Sequence, residues 1–257
     1  MINKVFLEAK ANNKTVFVPY FMAGYPSIAK SKKVFLQLAK SGAGLLEVGI
    51  PFSDPMADGP TIQQASSAAL NAGFKVNQAF ELLTELKGKV PPVVIMTYYN
   101  LVYANGLRNF ASKAAKAGIS GIIIPDLPLE EATGWLQASR DHLDTIFLIA
   151  PTSTDERIKK ISESSSSFIY CVSLTGVTGA RKELPKDIAA YLKRVRRITS
   201  KPLVVGFGVS TAQHVKQLKP LSDGIIVASA IIKIYSKAKD ERQGLQNVDA
   251  LVKGLKV

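Results

Sequence analysis

Residues 41–51 read SGAGLLEVGIP, and the same arrangement of residue types occurs twice more, in AGISGIIIPDLP at 117–128 and LSDGIIVASA at 221–230. In each stretch a predicted helix ends near a glycine or turn residue, and a glycine then leads into three or four apolar residues. A distinctive polar residue or a turn comes next. Short strands that are almost wholly apolar are typical of parallel sheets buried on both faces.

Five further apolar runs bring the number of predicted strands to eight: 15–21, 92–99, 145–151, 167–174 and 202–208. Stretches with helical periodicity separate most of the strands, at 28–40, 61–72 with 76–88, 106–117, 129–140, 154–163, 187–199, 210–218 and 230–238. This alternation favours an α/β fold, a closed (β/α)8 TIM barrel, over an open sheet, and no Rossmann G-x-G-x-x-G pattern follows the first strand. We expect a single domain over 1–257, with an extra amphipathic helix at the N-terminus.

The amino-acid composition limits the expected cellular location and the expected kinds of site. Cys171 is the only cysteine, and no apolar run reaches the roughly 18 residues of a membrane-spanning helix. The first residues lack a secretory signal pattern, so a reducing, cytoplasmic location is expected. The two histidines, His142 and His214, are expected on surface helices, and we predict no metal site.

The net charge of +13 is compatible with nucleic acid, a membrane surface or an anionic substrate. The densest basic group, KRVRR at 193–197, has helical spacing and is interpreted as a solvated helix face. No aromatic residues alternate with it as base stacking requires, so neither nucleic acid nor a membrane is expected as a partner. Steering of an anionic substrate and genome composition are the two explanations for the charge.

Catalytic residues of such a barrel lie where strands end, and this rule points first to Glu47, late in the second predicted strand. A carboxylate inside a barrel is unfavourable unless it is paired, protonated or used in chemistry. Burial raises its pKa toward the range that suits proton transfer near neutral pH. The alternative is a structural glutamate bound to a basic neighbour, but no lysine or arginine lies late in another predicted strand.

Asp58 lies in PMADGP, within the loop after the strand of Glu47. Asp-Gly is a common turn pair, so a purely structural turn is the alternative interpretation. An ionised aspartate and a buried glutamate would have different pKa values, and such a difference is typical of acid/base pairs. The spacing alone does not show that the two carboxylates meet.

Three glycine-containing or small-residue loops follow the last predicted strands: SLTGVTGARKEL at 173–184, GFGVS at 206–210 and ASA at 228–230. Backbone N–H groups of such loops and of helix N-termini bind phosphate without a cationic side chain. The ends of strands seven and eight are a recurrent phosphate site in this fold. The alternative is that the glycines serve tight turns only.

Aromatic and other large side chains are concentrated near the predicted strand ends: Tyr20, Phe21, Met96, Tyr98, Tyr99 and Tyr170. Some of them belong to the core. The others predict a flat pocket for an apolar or aromatic substrate, with Tyr98 among the substrate-binding residues.

The stretch LEVGIPFSDPMADGPTIQQAS, which contains both carboxylates, resembles the signature region of the tryptophan synthase alpha subunit family. Similar segments follow in the same order along nearly the whole chain: FVPYFMAGYPS, YYNLVYANG, GIIIPDLPLEE, IAPTSTDERI, TGVTGAR, VVGFGVS and IIVASAIIK. The resemblance implies a (β/α)8 barrel that cleaves indole-3-glycerol phosphate to indole and glyceraldehyde 3-phosphate by a retro-aldol reaction. It implies no cofactor and no metal in this chain.

The resemblance also implies roles for single residues. Glu47 matches the general acid/base, Asp58 matches the aspartate that stabilises charge on the indole nitrogen, and Tyr170 matches a tyrosine near the active site. The other matched positions are Tyr20, Met96 and Asp126 beside the indole, Gly179, Gly206, Gly208 and Ser229 at the phosphate, and Thr178 on the lid. Ala228 is expected at the phosphate as well, although it departs from the family pattern. Thr178 is hypothesised to link lid closure to the aspartate, which fails if Thr178→Val leaves activity and subunit activation unchanged.

In the family the partner is a beta subunit that carries pyridoxal phosphate and receives indole through a tunnel, in an α2β2 heterotetramer. The resemblance places the loop 50–60 at that interface and makes the loop 175–185 the lid. Ala228 stands where the family often has glycine, so weaker phosphate binding is the expected consequence of its methyl group.

Three alternatives remain at the level of the sequence. A stand-alone indole-3-glycerol-phosphate lyase would share the catalytic pair and be fast without a beta subunit. A noncatalytic barrel that activates a beta subunit is disfavoured by the presence of Glu47, Asp58 and the glycine loops. An indole-3-glycerol-phosphate synthase would need lysines at strand ends, and the sequence has none there.

Overall fold

A computed structural model describes residues 1–172, 184–206, 208–255 and 257 of the chain. Its strands are β1 (Val16–Met22), β2 (Leu46–Gly49), β3 (Val93–Met96), β4 (Ile119–Ile123), β5 (Asp144–Ile146), β6 (Leu148–Ile149), β7 (Ile169–Val172), β8 (Leu203–Gly206) and β9 (Gly224–Val227). They form one sheet in the order β5-β4-β3-β2-β1-β9-β8-β7-β6, and each pairing is parallel.

The two strands at the ends of this order, β5 and β6, are consecutive in the chain and separated only by Phe147. They correspond to the single predicted strand 145–151. At Phe147 the loop that precedes β7 takes the place of a neighbouring strand as hydrogen-bond partner. The Phe147 N–H donates to Ser165 Oγ in that loop at 3.2 Å. The Thr145 N–H donates to Ser166 Oγ at 3.1 Å in the same way. The sheet therefore closes through the chain itself, and the predicted (β/α)8 barrel is confirmed.

The helices are α1 (Ile2–Ala11), α2 (Ile28–Lys40), α3 (Pro60–Asn71), α4 (Val76–Leu86), α5 (Tyr99–Ala104), α6 (Leu107–Lys116), α7 (Thr133–Ser139), α8 (Asp155–Ser164), α9 (Ile188–Ile198), α10 (Ala212–Leu218), α11 (Ser229–Ser236) and α12 (Glu241–Leu255), with a 3-10 turn at Leu129–Glu131. Two of them, α5 and α12, were not predicted. Helix α5 begins where the apolar run 92–99 continues without a break, so its start carries no sequence signal.

The N-terminal helix closes one end of the barrel. Ile2 and Phe6 of α1 are buried, and the Phe6 ring lies 5.6 Å from the ring of Phe168. A Cβ atom on Gly224, at the start of β9, would lie 3.3 Å from the Phe6 ring. The amino end of the strands is thus covered by α1, which leaves the carboxyl end for a binding site.

The structure corrects two expectations about charged and polar residues. His142 lies in an exposed turn after α7 rather than in a helix, and His214 is in α10 but only 2% exposed. The basic stretch 193–197 is not simply a solvated face, because Arg194 donates to the carbonyl oxygens of Pro151 and Ser153 at 2.9 and 2.8 Å. None of the helices in the described ranges combines the length and the apolarity that a bilayer crossing requires.

Candidate active site

The carboxyl end of the barrel holds a small cavity to which six strands or the segments that follow them contribute. Its lining consists of Tyr20, Glu47, Asp58, Ile62, Met96, Tyr170, Gly208, Val209, Ile226, Ala228 and Ser229. The free space between these groups is about 20 Å³, which is room for one water molecule. A larger ligand therefore requires lining groups to move apart.

Two tyrosines are packed over two glycines in this cavity. A Cβ atom on Gly49 would lie 2.0 Å from the Tyr20 hydroxyl oxygen, and one on Gly206 would lie 2.2 Å from the Tyr170 hydroxyl oxygen. Only glycine leaves room for these rings. Packing against Tyr170 therefore explains the glycine at position 206, in addition to the phosphate contact predicted from the sequence. Gly206 itself does not line the cavity.

Glu47 lies in β2 directly opposite Tyr20 of β1, and it is 1% exposed. Burial, and then the nearby charge of Asp58, raise the pKa of Glu47 to about 8. Its Oε2 atom has no hydrogen-bond partner within the described part of the chain. A buried carboxyl of this kind is protonated at neutral pH and has an oxygen available to a ligand.

Asp58 reaches the same cavity from the loop after β2 and is 3% exposed. Burial raises the pKa of Asp58 to about 6, while the hydrogen bond from Tyr98 opposes this rise. At pH 7 the site thus contains a mainly ionised Asp58 beside a mainly protonated Glu47. Asp58 Oδ1 has no partner among the described residues.

Tyr98 holds Asp58 in place rather than lining the cavity. Its hydroxyl donates to Asp58 Oδ2 at 3.0 Å and accepts from the Ala57 N–H at 3.1 Å. The Tyr98 ring stacks on Phe52, which lies in the same loop as Asp58, with ring centroids 5.0 Å apart. The loop is further fixed by Ser66 Oγ, which accepts from the Phe52 N–H at 2.9 Å.

Three of the phosphate-binding candidates, Gly208, Ala228 and Ser229, line the cavity together. Gly208 has φ of +83°, a conformation that favours glycine. Ala228 precedes the first turn of α11, and Ser229 begins that helix with only 8% exposure. The free N–H groups of a helix N-terminus attract an anion, so this side of the cavity suits a phosphate.

Asp126, like Tyr98 and Gly206, does not line the cavity. Asp126 accepts a hydrogen bond from the Tyr99 N–H at 2.9 Å and so secures the start of α5. Thr178 and Gly179 lie outside the described residues. The described residues contain no group of three or more His, Cys, Asp or Glu side chains placed to hold a metal ion.

Sequence reasoning missed four residues of the site. Ile62, Val209 and Ile226 complete the apolar wall, and Phe52 supports Tyr98 from the loop. Periodicity marks Ile226 as a strand residue but does not show which face of the strand it occupies. Phe52 lies in the quoted motif, but nothing in the sequence connects it with an aromatic ring 46 positions later.

Comparison with known proteins gives one consistent family. A family model described as "Tryptophan synthase alpha chain" matches residues 6–257. The tryptophan synthase alpha chain of Roseiflexus sp. (strain RS-1) is 48% identical over 240 residues, which is 92% of this chain and 92% of the relative.

Solved structures agree with the sequence comparison. A structure of Mycobacterium tuberculosis tryptophan synthase is 36% identical, with a TM-score of 0.91, and the match covers 100% of this chain and 98% of that one. A chain of the tryptophan synthase α2β2 complex of Pyrococcus furiosus is 40% identical with a TM-score of 0.87, over 94% of this chain and 97% of that one.

Proposed function

The chain belongs to the tryptophan synthase alpha chain family, and we propose that it cleaves indole-3-glycerol phosphate to indole and glyceraldehyde 3-phosphate. The observation that carries the proposal is the pair of buried carboxyls at the carboxyl end of the barrel, with Glu47 protonated and Asp58 ionised near pH 7. The reaction is a carbon–carbon lyase reaction in tryptophan biosynthesis.

The proton transfers can be assigned to the two carboxyls. Protonated Glu47 gives its proton to carbon 3 of the indole, and the ionised Asp58 stabilises the positive charge that then develops on the ring nitrogen. The Glu47 carboxylate next takes the proton of the glycerol hydroxyl adjacent to carbon 3. The carbon–carbon bond breaks, its electron pair returns to the ring, the hydroxyl carbon becomes the aldehyde, and Glu47 regains its proton.

The remaining side chains have binding roles in this proposal. Tyr20 and Met96 contact the indole ring, and Tyr170 packs beside Glu47. Burial raises the pKa of Tyr170 well above its usual value, so its hydroxyl stays neutral and can donate a hydrogen bond. Gly208, Ala228 and Ser229 receive the phosphate at the start of α11.

This chain is proposed to need no cofactor of its own, because general acid/base catalysis by Glu47 supplies both proton transfers that the cleavage requires. The lid role of Thr178 and the contact of Gly179 with the phosphate remain part of the proposal as the family resemblance implies them. Tyr98 contributes through Asp58, which it holds by its hydroxyl.

The partner is the tryptophan synthase beta subunit, in an α2β2 complex such as that of the Pyrococcus furiosus relative. Pyridoxal phosphate is expected only in that partner. The surface beside the active site suits an interface, since Met56 in the loop 50–60 is 81% exposed and Tyr103 in α5 is 66% exposed. We place the enzyme in the cytoplasm, where biosynthetic enzymes of this kind act.

The test is indole release from indole-3-glycerol phosphate by the purified chain, with and without a beta subunit. Slow release by the chain alone, strong activation by the beta subunit and loss of activity in Glu47→Gln support the proposal. Glu81→Gln, a change at an exposed glutamate of α4, is the matched control and stays active. Fast release without a beta subunit indicates a stand-alone lyase, and no release under either condition overturns the assignment as an enzyme.

A further inference from the structure

A second, larger cleft lies at the amino end of the barrel. It has a volume of about 810 Å³ and is bordered by the end of α1, by α9, by α10 and by the segment 219–223. Thr15, which directly precedes β1, and Asp223, which directly precedes β9, are part of its wall. Glu47 and Ser229 mark the opposite end of the barrel, so this cleft is separate from the active-site cavity.

The cleft concentrates positive charge. Its described lining contains six cationic side chains, Lys10, Lys14, Lys193, Arg196, Lys216 and Lys219, and one carboxylate, Asp223. That carboxylate is already engaged, because Arg196 pairs with it and the Leu203 N–H donates to it at 2.8 Å. The amines of Lys10, Lys14, Lys193 and Lys216 have no carboxylate within 4 Å in the described part of the chain.

Four lysines from three separate parts of the chain surround one cavity. Their positive charges repel one another, and an anion placed between them removes that repulsion. The substrate phosphate cannot be this anion, since its proposed site is at the other end of the barrel. The ammonium group of lysine binds phosphate as a point charge, and the guanidinium of Arg196 is already occupied by Asp223.

The ligand can be specified further from the walls of the cleft. Phe6 is the only aromatic residue in the described lining, and with 5% exposure it cannot stack on a base. Recognition therefore depends on charge, with the Asn13 amide and the Thr15 hydroxyl as additional hydrogen-bond donors. We propose that this cleft binds an oligophosphate, a chain of two or more linked phosphate groups, at a site independent of the active site.

The experiment is isothermal titration of the full chain with tripolyphosphate, with orthophosphate as the low-charge comparison. The cleft variant is Lys14→Gln/Lys193→Gln/Lys216→Gln. The control variant, Lys30→Gln/Lys113→Gln/Lys159→Gln, loses the same charge at exposed lysines that neither line the cleft nor form an ion pair in the described structure. All changes are at exposed side chains, so both variants are expected to fold.

The proposal predicts that tripolyphosphate binds more tightly than orthophosphate and that added salt weakens its binding. The cleft variant binds it about thirtyfold more weakly, whereas the control variant stays within about twofold of the wild type. Saturating glycerol 3-phosphate, a probe for the active-site phosphate position, leaves the titration unchanged. Equal loss in both variants, no binding by the wild type, or displacement by glycerol 3-phosphate each overturns the proposal.

Discussion

The Tyr98 hydroxyl donates a hydrogen bond to Asp58 Oδ2 at 3.0 Å, across 40 residues of sequence. This bond connects the end of β3 with the loop after β2 and opposes the rise that burial causes in the pKa of Asp58. Tyr98 thereby keeps a largely buried aspartate ionised at neutral pH, while Glu47 in the same cavity remains protonated.

Removing this hydrogen bond is predicted to change the pH dependence of the reaction. In Tyr98→Phe the pKa of Asp58 rises, by about one pH unit for the loss of a hydrogen bond to a charged group. Because activity requires ionised Asp58 and is lost as the pH falls through its pKa, the acid limb of kcat/KM moves to higher pH. Tyr103→Phe, at a tyrosine that is 66% exposed, is the control and leaves the limb in place. An unshifted limb in Tyr98→Phe contradicts the assigned role.

Glu47 is predicted to contribute to catalysis at the expense of stability. Its folded pKa of about 8 lies above the ordinary value of 4.5, so the native state binds a proton that the unfolded chain releases. The Glu47 carboxyl therefore lowers the stability of the wild type as the pH rises from 4.5 toward 8, and Glu47→Gln lacks this contribution.

We thus expect Glu47→Gln to have a higher Tm than the wild type at pH 8, with the difference closing near pH 5, and an activity lower by about 10²–10⁴-fold. Thermal unfolding at both pH values, together with an indole-release assay, measures both effects. Glu81→Gln serves as the control for each. If Glu47→Gln is less stable than the wild type at pH 8, Glu47 is a paired structural residue instead.

Gly206 is predicted to be intolerant of a side chain for reasons of packing. In Gly206→Ala the new methyl group meets the Tyr170 hydroxyl oxygen at 2.2 Å and the Tyr170 ring at 2.5 Å, and the expected loss is about 1–3 kcal/mol of unfolding free energy. Chemical denaturation measures it. Gly254→Ala is the control, since a Cβ there has nothing within 4 Å and alanine favours the helix. Combining Gly206→Ala with Tyr170→Leu should recover part of the loss, and strict additivity would mean that the two sites do not touch.

Ala228 is predicted to weaken phosphate binding, because its methyl group lies in the cavity wall next to Ser229. Replacement by glycine lets the backbone at the start of α11 approach the phosphate more closely. We expect Ala228→Gly to lower KM about two- to fivefold with little change in kcat, as for an interaction made equally in the ground and transition states. Steady-state kinetics decide this, and an increase in KM would show that the alanine supports the bound conformation.

Much of the fold follows from the sequence because buried parallel strands carry a strong signal. The runs around Ile122 and Ile225 are apolar, the run around Glu47 is apolar apart from the glutamate itself, and glycines lie between these runs and the preceding helices. The break at Phe147 could not be predicted, because it depends on the Ser165 and Ser166 hydroxyl groups, which pair with strand backbone 18 and 21 residues earlier. Helix α12 also carried no recognised signal, although its Asp249 accepts from Ser41 Oγ at 2.7 Å.

The candidate site also contains one feature that the sequence predicts and one that it does not. A glutamate within an apolar strand indicates a buried acid from sequence alone, and Glu47 is 1% exposed. The burial of Asp58 could not be foreseen in the same way, since an Asp-Gly pair in a loop is ordinarily a solvated turn. It results from contacts far apart in the chain, with Tyr98 and Phe52 on one side and Ser66 tying the loop to α3.

The protonation states of Glu47 and Asp58 are measured most directly by an infrared titration of the carboxyl groups between pH 4 and pH 10, with Glu47→Gln and Asp58→Asn used to assign the bands. We expect a protonated carboxyl band assigned to Glu47 to persist at pH 7 and to disappear with a midpoint of about 8. The Asp58 band should disappear with a midpoint of about 6. A Glu47 band that is already absent at pH 6 would rule out Glu47 as the general acid, because the site would then hold no proton to give to the indole ring.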